Sequence, residues 1–169
     1  LPDVLMAINL WKNPSVGLIG NYIDVQHVID EIILNLSALH SYEEVKIVIL
    51  SSPDKVGRYE KYQDITHIWS TDRKIRYFAS RPDEIHILLT YFEELFAERQ
   101  HEKEERFQEK SALPHFVFVV TDPGILEGES VGRFLQDPKQ GTGLSAVFAY
   151  GEFSDLPKSC GCIIPADER

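Results

Sequence analysis

The sequence predicts a three-layer α/β domain, with a mostly parallel sheet flanked by helices. Continuous apolar runs recur along the chain, such as VKIVILSS (45–52) and HFVFVVTD (115–122), and runs without polar alternation suit strands covered on both faces. Between them, apolar residues repeat at spacings of three and four, the period of a helix with one buried side. Strands and helices that alternate in this way build a layered sheet with right-handed crossovers.

In chain order, strand character falls on 4–10, 15–20, 45–52, 74–80, 115–122 and 144–150, with CGCIIPA (160–166) as a last strand. Val25, Val28, Ile29, Ile32, Ile33, Leu36 and Leu39 mark a first helix, with Asp24 expected as its N-cap. Ile85, Leu88, Leu89, Phe92, Leu95 and Phe96 mark a second, opened by Pro82 and Asp83. The charged stretch 97–111 has one large apolar residue, Phe107. It is expected to carry the second helix into solvent, with Glu102 and Arg106 as an i,i+4 pair, or to fray into a linker.

At 169 residues the chain is read as one domain over 1–169, and 43% hydrophobic with 26% charged residues excludes disorder. Seventeen basic against twenty-seven acidic residues give a net charge of -10, which argues against nucleic acid or an anionic bilayer as partner. No apolar run reaches the roughly 18 to 20 residues of a membrane helix. The chain opens on Leu1 and is therefore read as a domain excised from a larger protein. Cys160 and Cys162 are too close for an ordinary disulfide and lack the companions of a zinc site, so they read as small strand residues.

In folds of this class ligands bind at the carboxyl ends of strands, which directs attention to the loops after Gly20, Leu50, Val120 and Tyr150. SVGLIGNYIDVQHVIDEIILNL has the layout of a phosphate-binding unit: a buried strand, a glycine, then a helix whose positive end faces the turn. The chemistry is missing. A P-loop needs G-x-x-x-x-G-K-[ST], whereas only Asn21, Tyr22 and Ile23 separate Gly20 from Asp24, an anion that repels phosphate. Of lysines or arginines able to reach a phosphate near Gly20, the chain is expected to offer only Lys12, at a distance. The second half of an ATPase site would be an apolar strand ending in Asp and followed by Glu to activate water; HFVFVVTDPG supplies the strand and Asp122, but the next residue is Pro123, which cannot act as a base. Asp-Pro-Gly is also a good turn sequence.

The six histidines, His27, His40, His67, His86, His101 and His115, form no ligand pair, and His67 is expected to tie a loop to a backbone carbonyl near Trp69. Ser51, Ser52 and Ser145 lack a nucleophile elbow. The pairs Glu43 with Glu44 and Glu93 with Glu94 read as solvated faces.

Four segments together resemble the FtsK/SpoIIIE-type motor ATPases, and among them the EssC/EccC (YukB-like) membrane ATPases of type VII secretion. They are GLIGNYIDVQHVIDEIILNLSALHSYEEVKIVIL, ITHIWSTDRKIRYFASRPDEIHILLTYFEELFAER, LPHFVFVVTDPGIL and GLSAVFAYGEFSDLPKSC, the last similar to that family's LP-x-x-C ending. The order and spacing of the segments carry the similarity across almost the whole chain.

The resemblance implies a P-loop-ATPase-like (RecA/FtsK-like) domain with a degenerate nucleotide site, standing between the membrane helices and the tandem ATPase modules of the parent. Gly20 matches what remains of the P-loop and Asp122 the Walker B aspartate, while the Walker A Lys and hydroxyl and the Walker B Glu are gone. Gly151 and Glu152 stand where active members carry a polar sensor. The implied role is noncatalytic coupling in protein export, with Gly20, Asn21, Tyr22, Asp24, Asp122 and Glu152 as a vestigial nucleotide cleft or interface. No cofactor is expected here, with ATP and Mg left to other modules of the parent. The implied partners are those modules, the membrane segment and other type VII components, on the cytoplasmic side of the membrane. The domain alone is expected to be a monomer. Two alternatives stand beside this: ATP binding or hydrolysis using Asp122 with residues of a neighbouring copy, or a small-ligand module in the cleft after Gly20.

Overall fold

The computed structural model describes residues 9–106, 112–139 and 141–167. Strand β1 spans Ser15–Ile19, helix α1 Tyr22–Leu39, β2 Val45–Leu50, the short α2 Val56–Tyr59, β3 Phe78–Ala79 and α3 Pro82–Arg106. Then come β4 His115–Val120, the short α4 Gly132–Gln136, β5 Leu144–Gly151 and β6 Cys162–Pro165. The strands form one six-stranded sheet in the order β3-β2-β4-β5-β1-β6, parallel at every pairing.

Connections from β1 to β2 and on to β3 run toward one edge, while those from β3 through β6 run the other way. Right-handed crossovers therefore put α1 and α2 on one face and α3 and α4 on the other. Side-chain contacts agree. Tyr59 of α2 donates to Gln26 of α1 at 2.7 Å, and Arg133 of α4 pairs with Glu93 of α3 at 3.5 Å. The all-apolar reading of the central strands follows from this sandwich: every residue of β2 and β4 is buried, Lys46 and His115 included.

Phe92 shows how α3 is held. It is fully buried, with its ring centroid 4.9–5.7 Å from those of Tyr77, Tyr91, Phe96, Phe116 and Phe118. Truncating such a residue to Ala costs about 3–5 kcal/mol through lost transfer energy and the cavity left behind.

Three expectations need correction. The cap of α1 is Asn21, whose side chain accepts from the Asp24 backbone N–H at 3.1 Å. Tyr22 and Ile23 are helical but exposed, so the apolar period alone starts the helix too late. The run 74–80 yields only Phe78–Ala79 as strand. Its first half is wound into a turn in which the Ser70 hydroxyl accepts from the N–H groups of Lys74 and Ile75, Arg73 adopts φ 58°, and Trp69 and Arg76 form an antiparallel bridge. Of the run 4–10, Asn9 and Leu10 are not strand, and 4–8 lie outside the described residues.

Elsewhere α3 carries the charged stretch outward to Arg106. The side chain of Arg106 and all of Phe107 lie outside the described residues. Leu39, at the end of the predicted apolar stripe of α1, is exposed. His67 does tie a loop to a carbonyl, but to that of His40 at the end of α1, at 2.8 Å. Among the described residues no helix is long and apolar enough to cross a membrane, and no three His, Cys, Asp or Glu side chains gather as a metal would need.

Candidate functional site

Neighbouring β1 and β5 send their connections to opposite sheet edges, so the crevice above their carboxyl ends is the topological switch point where this class of fold binds ligands. Gly20 ends β1 at φ 133°, and its N–H donates to the Gly151 carbonyl at 2.9 Å, closing the two strand ends on each other. Asn21 follows and does three things. Its carbonyl oxygen on the side chain caps α1, its amide nitrogen Nδ2 donates to Asp24 Oδ2 at 2.5 Å, and its backbone N–H donates to Asp167 Oδ1 at 2.8 Å. Two carboxylates thus converge on one asparagine at the positive end of α1, where negative charge is stabilised.

Asp167 is delivered there by β6. Residues 162–165 pair in register with residues 16–19 of β1, and the Ala166 N–H donates to the Ile19 carbonyl at 2.8 Å. A Cβ on Gly20 would lie 2.1 Å from Asp167 Oδ1. The backbone angle favours glycine at that position, and a methyl group there would also have to push this exposed carboxylate aside.

Asp122, one residue past β4, has both carboxylate oxygens engaged. Lys55 Nζ donates to Oδ1 at 2.6 Å, and the Thr121 hydroxyl donates to Oδ2 at 2.6 Å. Partial burial works against the charged form, yet these bonds hold the carboxyl below its usual range. Lys55 Nζ also lies 5.9 Å from the centre of the Tyr22 ring, a cation–π distance that links the β4 end to the turn after β1.

Of the predicted residues, Gly20, Asn21, Tyr22 and Asp24 come together in the turn, and Asp122 reaches them through Lys55. Glu152 sits beside Gly151 at the mouth of the crevice with its side chain exposed. The reading that only distant Lys12 could serve this site is corrected: Lys55, in the loop after β2, is the cation. That loop follows Leu50 at a strand's carboxyl end, and its S-S-P-D-K sequence is the signal that places a lysine there. Asp167 carried no such signal, because nothing in the sequence says which strand β6 joins.

An open concavity lies elsewhere. A cleft of about 360 Å3 runs over the carboxyl ends of β2, β3 and β4, lined among others by Ser51, Ser52, Pro82, Ile85, Asp122 and Ile125. Only Asp122 is shared with the predicted cleft, which was expected to open after Gly20.

No protein-family model matches the chain. It is 25% identical over 138 residues to the ESX secretion system protein EccC of Geobacillus thermodenitrificans, a match covering 80% of this chain and 9% of that protein. It is 23% identical over 155 residues to the type VII secretion system protein EssC of Staphylococcus aureus, covering 88% of this chain and 10% of that protein. The chain thus spans about a tenth of the length of these relatives. Among solved structures, ATPases 2 and 3 of Thermomonospora curvata EccC, in complex with a signal sequence peptide, superpose with a TM-score of 0.70 at 19% identity over 90% of this chain and 30% of that one. ATPases 2 and 3 of Geobacillus thermodenitrificans EssC give 0.69 at 10% identity over 89% of this chain and 30% of that one.

An ATPase-domain fold implies Mg and a nucleotide, and the residues present do not fit them as arranged. Asp167 holds the backbone donor that a phosphate would need, Lys55 holds the Asp122 oxygen that a divalent ion would need, and the turn itself supplies no Lys, Ser or Thr. The chain is a sequence relative of the EccC and EssC type VII secretion ATPases and carries the fold of their ATPase domains.

Proposed function

We propose that this chain is a noncatalytic ATPase-like domain of a type VII secretion ATPase, which couples neighbouring parts of the export machine through protein contacts and uses no cofactor of its own. The observation that supports it best is the state of Asp122: its carboxylate is already bound by Lys55 at 2.6 Å, and Pro123 follows where a water-activating carboxylate would be needed. In this reading the domain stands on the cytoplasmic side, between the membrane segment and the ATPase modules of a longer chain, and those modules use ATP and Mg. Its first partners are the adjoining modules and membrane segment, then other type VII components. Nucleic acid is not among them at a net charge of -10, and alone the domain is a monomer.

The contact surface in this reading is the strand-end face. Asp24 and Glu152 give it negative charge, and Tyr22, Ile23 and Phe153 are exposed apolar residues carried on the segments just past β1 and β5. A basic partner surface with an apolar anchor suits such a face. Titration of a fluorescent ATP analogue with Mg tests the central statement: binding in the micromolar range or tighter sinks it. The cleft beside Asp122 favours a second reading, a small ligand held by Ser51, Ser52 and an apolar floor. A ligand of that kind would shift the Ser51 and Ser52 amide resonances and leave those of the turn after β1 in place.

A further inference from the structure

Asp167 is an unusual neighbour for the turn it touches. Backbone N–H groups at the start of a helix have no partner within the helix and attract anions. Here the anion belongs to the chain: Asp167 Oδ1 accepts from the Asn21 backbone N–H at 2.8 Å and lies 3.4 Å from Asn21 Nδ2. The contact is set by strand geometry, because Ile164 pairs with Leu18 and Pro165 with Ile19 immediately before it. Among the described residues β6 is an edge strand, paired with β1 on one side only, and Asp167 itself is exposed. A second ion is supplied internally as well, since the Lys55 ammonium sits on Asp122 at 2.6 Å.

We propose that Asp167 is a built-in anion that closes the turn after β1, an autoinhibitory contact by which β6 keeps free phosphate groups off the start of α1. The proposal deepens the noncatalytic reading and rests on it, naming the residue that enforces it at the phosphate side. Two features of the turn fit the arrangement. Gly20 has no Cβ, and one would lie 2.1 Å from the carboxylate oxygen. Asn21 turns its side-chain amide toward both Asp24 and Asp167, so the two anions are bridged by donors instead of facing each other bare.

The test uses inorganic pyrophosphate without nucleotide or Mg, so a failure of the noncatalytic reading in the ATP titration remains a separate result. Amide resonances of residues 20–23 are followed in the unaltered chain, in Asp24→Asn, in Asp167→Ala and in the double variant. The unaltered chain and Asp24→Asn are expected to be silent. Asp167→Ala, or the double variant if Asp24 still repels the ligand, should show a saturable shift confined to this turn and an affinity about tenfold or more above that of the unaltered chain. Silence in both Asp167 variants while their spectra stay dispersed overturns the proposal. So does an equal response from the unaltered chain, or a response from Asp24→Asn alone. Because Asp167 is exposed, the substitution leaves the core untouched.

Discussion

Lys55 Nζ stands 2.6 Å from Asp122 Oδ1, joining the loop after β2 to the end of β4 at Asp122, the one residue of the pair that lines the cleft. Both side chains are partly exposed, at 23% and 31%, so solvent screens the pair and its worth is about 1 kcal/mol. Lys55→Met should raise the Asp122 carboxyl toward its ordinary value of 3.8, which a carboxyl carbon titration by NMR reads directly. Since the folded carboxyl titrates below its unfolded value, its contribution is complete above pH 3.8 and fades as the pH falls through the folded value. Asp122→Asn should fold and melt a few degrees lower. A much larger drop would mark Asp122 as an anchor of the fold and remove support for its reading as an interface residue.

At the opposite end of the sheet, His115 is 3% exposed and stacks on Trp11 at 4.5 Å. Ser145 Oγ donates to the Leu10 carbonyl at 2.6 Å, so His115 Nε2 must donate to Ser145 at 2.7 Å, leaving Nδ1 buried without a partner among the described residues. A proton added at Nδ1 finds no acceptor among the described residues, and burial with the nearby Arg99 charge pushes the imidazole down to about 4. The neutral form is the stabilising one: stability is complete above 6.5 and declines as the pH falls from there toward 4, by on the order of 3 kcal/mol. Melting curves across that window should flatten in His115→Gln, which does not titrate and still donates to Ser145. An unchanged slope would assign the acid sensitivity to other groups.

On the α1 face, Tyr59 is fully buried and donates to Gln26 at 2.7 Å, with Gln26 itself 2% exposed. Tyr59→Phe keeps the packing and strands the Gln26 carbonyl oxygen, at a cost of about 1–3 kcal/mol. Tyr59→Phe with Gln26→Leu removes both polar partners and should recover part of that loss. Urea unfolding of Tyr59→Phe, of Gln26→Leu and of the double variant gives the coupling, and a double variant as unstable as the sum of the singles would mean the bond contributes nothing specific.

The parallel sheet was legible because β2 and β4 are apolar apart from Lys46 and His115, and α1 and α3 each show a buried stripe, signals that depend only on composition and period. What failed had local causes. The Ser70 hydroxyl competes for the backbone of 74–75 and halts a strand that side-chain type alone predicts. Exposed Tyr22 and Ile23 begin α1 without belonging to its stripe. The site was half legible: Gly20, Asn21 and Asp122 follow from chain order, while their ionic partners do not. Asp167 is 146 residues from Asn21 and Lys55 is 67 from Asp122, so both contacts are consequences of strand order.

Gly20 and Asp167 should be coupled, and a double-mutant cycle measures how strongly. Gly20→Ala meets two penalties, a φ of 133° that an L side chain rarely adopts and a Cβ placed 2.1 Å from Asp167 Oδ1. The first belongs to the backbone and persists whatever stands at 167, at about 1–3 kcal/mol. The second disappears when the carboxylate is removed. Asp167→Ala alone loses an exposed hydrogen bond near a helix start, worth about 1 kcal/mol. Gly20→Ala should therefore destabilise the unaltered chain more than it destabilises Asp167→Ala, because only in the first must the Asp167 carboxylate swing aside and give up its bond to the Asn21 N–H to clear the new methyl group. Chemical denaturation of the four proteins gives the difference. Equal destabilisation in both backgrounds would mean that the carboxylate does not press on the glycine, and that the backbone angle alone demands it.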